Sequence, residues 1–173
     1  MRLVEGIAHI DDLDAFLSEL TTIGDDTDCT VQAFDARYVV DRTHLQRALE
    51  LADRAINRGE NVARDRGVEV MLYAAGRRQI DRALTVGVSE GECPVVVLVA
   101  TEGGSDDADR DDAVEATAAD AVADLLSPAE TLGEFDESLV REYFDVSDRE
   151  LAATDGTLAD VIHERVALLD VRK

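Results

Sequence analysis

The chain has no tryptophan and only seven other aromatic residues, three tyrosines and four phenylalanines, so aromatics make up 4% of its 173 positions. A surface that binds bases on a row of aromatic rings is therefore excluded, and stacking would fall to arginine planes or aliphatic side chains. Its two cysteines, Cys29 and Cys93, stand far apart inside or beside β-type runs. They fit neither a disulfide framework nor a metal cluster and read as buried cytosolic thiols. No apolar run approaches about 18 residues, which excludes a membrane-spanning helix. The opening MRLVEGIAHIDD goes straight into a strand pattern without the architecture of a signal peptide. The expected compartment is the cytoplasm.

Catalytic signatures are also missing. There is no GxxxxGK[ST] loop, no GxGxxG after a strand, no HExxH, no GxSxG and no CxxC pair. His9, His44 and His163 each lack a second ligand at i+3 or i+4, so no metal site is expected, and His44 reads as a packing or capping residue. With Asp and Glu this abundant, carboxylate spacings occur by chance and single out no acid–base pair. The expectation is a protein that is not an enzyme and holds no cofactor.

What is abundant is negative charge. Asp and Glu number 39 against 17 basic residues, a net charge of −22, and Lys173 is the only lysine. Such a surface stays hydrated and dispersed in multimolar salt, where the Debye length falls to about 3 Å or less and self-repulsion is quenched. A salt-loving cytoplasm follows. A disordered acidic chain does not fit 46% hydrophobic residues and clear periodicity. Residues 37–82 depart from the rest. They hold ten arginines against seven acids, a net +3, which leaves −25 for the remainder of the chain. This window is either an anion-binding face or a set of counter-charges spread over several faces.

The length fits one domain over residues 1–173. Strands are expected over 2–8 and 29–34, and over 93–100, a near-continuous apolar run buried on both faces. A helix capped by Asp11 or Asp12 carries Leu13, Phe16, Leu17 and Leu20, and the acidic loop 24–28 ends it. Another, capped by Asp41 or Thr43, buries Leu45, Ala48, Leu49, Ala52, Ala55 and Ile56 and stops at Gly59. Residues 60–66 read as a short helix presenting Asn61, Arg64 and Arg66. An acidic, Gly- and Ser-rich loop is expected over about 101–112, then an alanine-rich helix over 113–126. A helix opens near Ser138, Ser147 with Glu150 forms a capping box, Thr157 with Asp160 starts a last helix, and 166–171 reads as a closing strand. The sum is an α/β fold with a mixed, largely antiparallel central sheet of about four or five strands flanked by helices.

The stretch 68–84, VEVMLYAAGRRQIDRAL, organises the rest. Val68, Val70, Leu72 and Ala74 alternate with Glu69, Met71 and Tyr73, as in a strand. Ala75 and Gly76 then allow a tight turn. Beyond it the period lengthens to about 3.6, with Ile80, Ala83, Leu84 and Gly87 on one face. Arg77 and Arg78 would fall in the first turn of that helix, where the dipole disfavours a cation by roughly 0.3–1 kcal/mol. Free amide N–H groups and guanidinium forks suit a phosphate or carboxylate. The same arginines are also compatible with ordinary solvated surface or with pairing to a distant carboxylate.

LYAAGRRQIDRALTVGV resembles the LxxAsGxRQIxxAI signature of the kinase-associated, tRNA-binding subunit of the KEOPS complex, the TPRKB family. YVVDRTHLQRALELA, RGENVARDRG and the ending from LVREYFDV to IHERVALLDV resemble further segments of that family, in the same order. The acidic stretch 103–112 departs from it and reads as a lineage-specific loop. The resemblance implies a non-catalytic subunit that binds the small atypical kinase of the complex directly. The threonylcarbamoyltransferase subunit would be met only indirectly, within the same complex. It implies a grip on the single-stranded 3′ CCA end of tRNA, in support of N6-threonylcarbamoyladenosine (t6A) formation. Arg77 and Arg78, with the amides following Gly76, would form the phosphate site, and Gln79 would meet a base edge unless it caps its own helix. Arg64, Asn61 and Tyr73 are further candidates. For the kinase, the apolar residues Leu139, Tyr143, Phe144, Leu151, Leu158 and Val161 offer a surface, with packing on the sheet as the alternative. Two rivals remain: a kinase-binding scaffold without its own RNA contact, and an unrelated small-anion or nucleotide-binding module.

Overall fold

The computed structural model describes residues 1–102 and 107–171. Its elements follow in the order β1 (Arg2–Ile10), α1 (Leu13–Thr27), β2 (Cys29–Asp35), α2 (Arg42–Arg58), α3 (Arg66–Ala75), α4 (Ile80–Ala83), β3 (Gly91–Thr101), α5 (Ala108–Ala123), β4 (Ser127–Pro128), α6 (Glu137–Tyr143), α7 (Asp148–Ala153) and α8 (Leu158–Val171). The class is α/β, and the sheet has four strands in the order β2-β3-β1-β4. Every neighbouring pair is antiparallel, so the mixed connectivity expected from sequence narrows to a uniform one. The chain divides into two compact units, Met1–Asp35 with Gly87–Thr131, and Ala36–Val86 with the chain from Leu132 onward.

The first unit holds the sheet. In β3, Cys93, Val95, Val97 and Val99 join Ala8, Ile10, Cys29 and Ala33 in one core, closed by Leu20 of α1 and by Ala118 and Val122 of α5. Val96 and Leu98, on the alternate positions, are fully buried too, which is why this strand carries no polar alternation. Gly6 is required where β4 meets β1. A Cβ there would lie 2.7 Å from the Ser127 carbonyl oxygen and 2.9 Å from the Leu126 Cβ. Residues 24–27, expected as part of an acidic loop, complete α1, and Asp28 ends it in the left-handed region at φ 53°. Of the expected acidic loop, residues 103–106 lie outside the described residues. Asp107 caps α5, so 108–112 belong to that helix.

The second unit is helical, and it overturns three expectations. Residues 68–74 form α3, not a strand. Glu69 to Ala75 are all buried, so the helix has no polar side to show its 3.6-residue period, and burial overrides the β propensity of its valines. Asp65 caps its start through the Val68 N–H at 2.9 Å, and Gly76 at φ 59° caps its end. The expected short helix over 60–66 is an irregular loop over 60–65, and Arg66 opens α3. The buried Glu69 carboxylate takes the N–H groups of Val62 and Ala63 at 3.0 and 2.8 Å, which withdraws them from helical bonding. Residues 166–171, expected as a closing strand, continue α8. Val161, Ile162, Val166 and Leu169 are buried at helical spacing, and a short apolar run does not by itself distinguish the two periods. The expected N-caps hold, although Glu150 pairs with Arg165 and leaves the box at Ser147 half closed. Asp41 accepts from the His44 N–H at 2.8 Å, Ser147 from the Glu150 N–H at 3.1 Å, and Thr157 donates its N–H to Asp160 at 2.7 Å.

Candidate functional site

The joint between α3 and α4 lies in the second unit, and its geometry begins with Gly76. The Gly76 N–H bonds the Tyr73 carbonyl and the Arg77 N–H bonds the Leu72 carbonyl, each at 3.0 Å. This is the paired closure of a helix C-terminus, which needs a residue at positive φ. Two corrections follow. The Gly76 and Arg77 amides are consumed in capping α3 and are not free for an anion. Arg77 and Arg78 follow the C-terminal end of α3 rather than opening a helix, so the dipole favours them instead of opposing them. Helix α4 has only four residues, and Gln79 precedes it with extended backbone and no side-chain cap bond. The carboxamide of Gln79 is therefore exposed and uncommitted, which removes the capping alternative.

Arg77 is held by neutral groups. Its Nη2 donates to the Tyr143 carbonyl at 2.5 Å, and its guanidinium carbon stands 5.1 Å from the centroid of the Tyr143 ring. The Tyr143 hydroxyl donates to the Arg82 carbonyl at 2.9 Å. Burial pushes the Tyr143 phenol above its ordinary pKa, against the lowering influence of Arg77. Among the described residues neither Arg77 nor Arg78 forms an ion pair. Other arginines do serve as counter-charges. Arg66 grips Asp53 with two bonds at 2.7 and 2.9 Å, Arg54 approaches Asp170 at 3.7 Å, and Arg165 meets Glu150 at 2.8 Å. Within the basic window the counter-charge reading thus holds for Arg54 and Arg66.

The remaining expected contacts separate. Arg64 is exposed, and Asn61 is half-buried with its amide donating to the Ala63 carbonyl at 2.7 Å. Both precede α3, while Gly76 to Gln79 follow it. The ten residues of that helix put roughly 15 Å between the two groups. Tyr73 is 2% exposed inside α3, with its hydroxyl 3.4 Å from Asp170, so its ring presents no face for stacking. Of the six apolar residues considered for a partner, Phe144, Leu158 and Val161 are buried in one core with Val40, Val140, Val146 and Ile162. Tyr143 and Leu151 pack against that core half-buried, and Leu139 is also half-buried.

Two features escaped the sequence reading. Ile80 and Leu84, expected on one helix face with Ala83, are 42% and 57% exposed, because α4 is too short to form a continuous apolar stripe and only Ala83 and Val86 turn inward. The second is a histidine relay behind the joint. His44 is buried, with Nε2 donating to the Ala74 carbonyl at 2.8 Å and Nδ1 accepting the Val40 N–H at 3.3 Å. A carbonyl only accepts and an amide N–H only donates, so the ring is neutral, and burial lowers its pKa to about 4. Asp41, which caps α2, also bonds His163 Nε2 at 2.9 Å. The packing role of His44 was legible from its place at a helix start. Its partner at Ala74 had no local signal.

The fold is α/β, and the joint after α3 brings together two half-buried arginines, an exposed glutamine amide and two exposed apolar side chains. The chain belongs to the kinase binding protein CGI-121 family, whose pattern matches residues 8–170. This is the family to which the TPRKB resemblance pointed, and its defining property is binding to a kinase. No individual curated protein matches the chain. Among the described residues no helix is long and apolar enough to cross a membrane.

Proposed function

We propose that the protein is the kinase-binding subunit of a KEOPS complex in the cytoplasm of a salt-loving archaeon. It holds the small atypical kinase directly, shares the complex with the threonylcarbamoyltransferase subunit, and binds the 3′ CCA end of tRNA in support of t6A formation. The observation that carries this reading is that Arg77 and Arg78 stand without a carboxylate partner among the described residues of a chain with 39 acids. Single-stranded RNA needs phosphate contacts from cations and base-edge contacts from amides, and Arg77, Arg78 and Gln79 supply both beside the Gly76 turn. Arg64 and Asn61 extend the track to the far end of α3, a span that a few nucleotides cover. The protein itself contributes contacts to this modification and no covalent step. Family membership removes the reading as an unrelated anion-binding module.

Titration at high KCl with intact tRNA and with tRNA lacking CCA tests the proposal. Truncation is expected to abolish most of the affinity, and equal binding of the two RNAs would overturn it. Arg77→Ala with Arg78→Ala is expected to weaken binding and to reduce the slope of log K against log [KCl] by about 1.4, since each phosphate contact on a single strand contributes about 0.7. A second reading, a kinase-binding scaffold without its own RNA contact, draws on the exposure of Ile80 and Leu84 one turn apart on the same segment. Under it, Ile80→Ser with Leu84→Ser loses the kinase in a pull-down and tRNA affinity never depended on CCA.

A further inference from the structure

Tyr143 touches the arginine-bearing segment at both ends. Its carbonyl and ring hold the Arg77 guanidinium, and its hydroxyl holds the Arg82 backbone carbonyl. The ring is itself fixed edge-on by Tyr38 at 5.6 Å and by Phe144 at 5.0 Å, and Phe144 is buried. Three of the seven aromatic residues of the chain thus form one cluster, and its Tyr143 ring meets Arg77. The choice of partner matters physically. A carboxylate would fix Arg77 equally well and cancel its charge. A carbonyl dipole and a π face restrict the guanidinium and leave its positive charge available to an anion.

We propose that Tyr143 is a positioning residue for the Arg77–Arg82 segment, holding Arg77 in place for a nucleic-acid phosphate without neutralising it. It belongs on this account to the RNA face and not to the kinase surface on which its apolar character would place it. The inference rests on the reading of this segment as an RNA contact. A guanidinium already confined to its bound geometry loses less freedom on binding, so the gain is in pre-organisation.

The test is tRNA affinity at fixed high KCl, with thermal unfolding and kinase pull-down measured in parallel on the full chain. Tyr143→Leu is expected to weaken tRNA binding by about fivefold to tenfold, the range for loss of one cation–π hold, and Tyr143→Phe by at most about threefold because ring and carbonyl remain. In an Arg77→Ala background Tyr143→Leu should cost no more than about twofold, since the group it positions is gone. Arg77→Lys keeps the charge but lacks the planar fork, and is expected to lose most of what Arg77→Ala loses. This variant leaves Tyr143 intact and answers the question even if Tyr143→Leu does not fold. Wild-type affinity of Arg77→Lys would overturn the proposal. So would a full Tyr143→Leu loss that persists without Arg77, or loss of the kinase with tRNA binding intact. If Arg77→Ala alone leaves tRNA affinity unchanged, the RNA reading fails, a result distinct from failure of the Tyr143 role.

Discussion

His44 shows how much one side chain contributes to the joint. It ties the N-terminal end of α2 to the last turn of α3, one residue before the Ala75–Gly76 closure. Replacing it by leucine leaves the Ala74 carbonyl and the Val40 N–H buried without partners, a loss of roughly 2–4 kcal/mol in denaturant unfolding at neutral pH. The pH dependence has a definite sign. The folded pKa is about 4 and the ordinary imidazole value is 6.5, so between these the unfolded state binds the proton and the folded state does not. The stability His44 provides is therefore complete above pH 6.5 and declines as the pH falls toward 4. The gap between wild type and His44→Leu should narrow by up to about 1.4 kcal/mol per pH unit across that window, summing to roughly 3 kcal/mol. A gap that stays constant or widens on acidification would contradict the neutral buried ring.

At the scale of elements, α3 and its two caps decide where the arginines emerge. The helix is buried on nearly every side, so its termini, and not an amphipathic stripe, define it. Asp65→Ala removes the N-cap and is expected to cost about 1 kcal/mol. Gly76→Ala meets no clash, because the added Cβ would lie 3.8 Å from its nearest neighbours, the Arg165 carbonyl oxygen and Phe144 Cε1. Its cost comes from the left-handed backbone alone, about 1–2 kcal/mol. The two substitutions stand at opposite ends of the helix. Both should lower the unfolding midpoint by similar amounts, while only Gly76→Ala, which strains the turn carrying Arg77, is expected to weaken tRNA binding as well. Equal effects of both on tRNA binding would mean that the joint has no special place in the contact.

At the scale of the whole molecule the charge of −22 dominates. In dilute buffer the acidic surface repels itself over about 10 Å, and at molar salt the range shrinks to about 3 Å. The unfolding temperature should therefore rise steadily as KCl increases from about 0.1 M to about 3 M. A maximum at low salt would remove the halophilic reading. The same screening bears on the RNA proposal. Surface pairs weaken in high salt, so an arginine held by a ring and a carbonyl keeps its position where a carboxylate-held one would be screened.

What lay open to reading in the residues themselves was whatever depends on neighbours along the chain. Asp41, Ser147 and Thr157 were recognisable as caps because an N-cap acts across three residues. The strand from Cys93 to Ala100 was recognisable because double-sided burial demands an unbroken apolar run. The α/β class followed from such elements, and four segments in order carried the family. The identity of 68–74 and 166–171 did not follow, because a fully buried helix and a buried strand are both apolar throughout and only their surroundings choose between periods. The exposure of Ile80 and Leu84 and the capture of Arg77 by Tyr143 were equally invisible, since they depend on where α4 stops and on a residue 66 positions away. Local chemistry determined which residues the joint contains. Tertiary packing alone decided that the residues before Gly76 would be a helix for it to cap, and that one of the cations would be held with its charge intact.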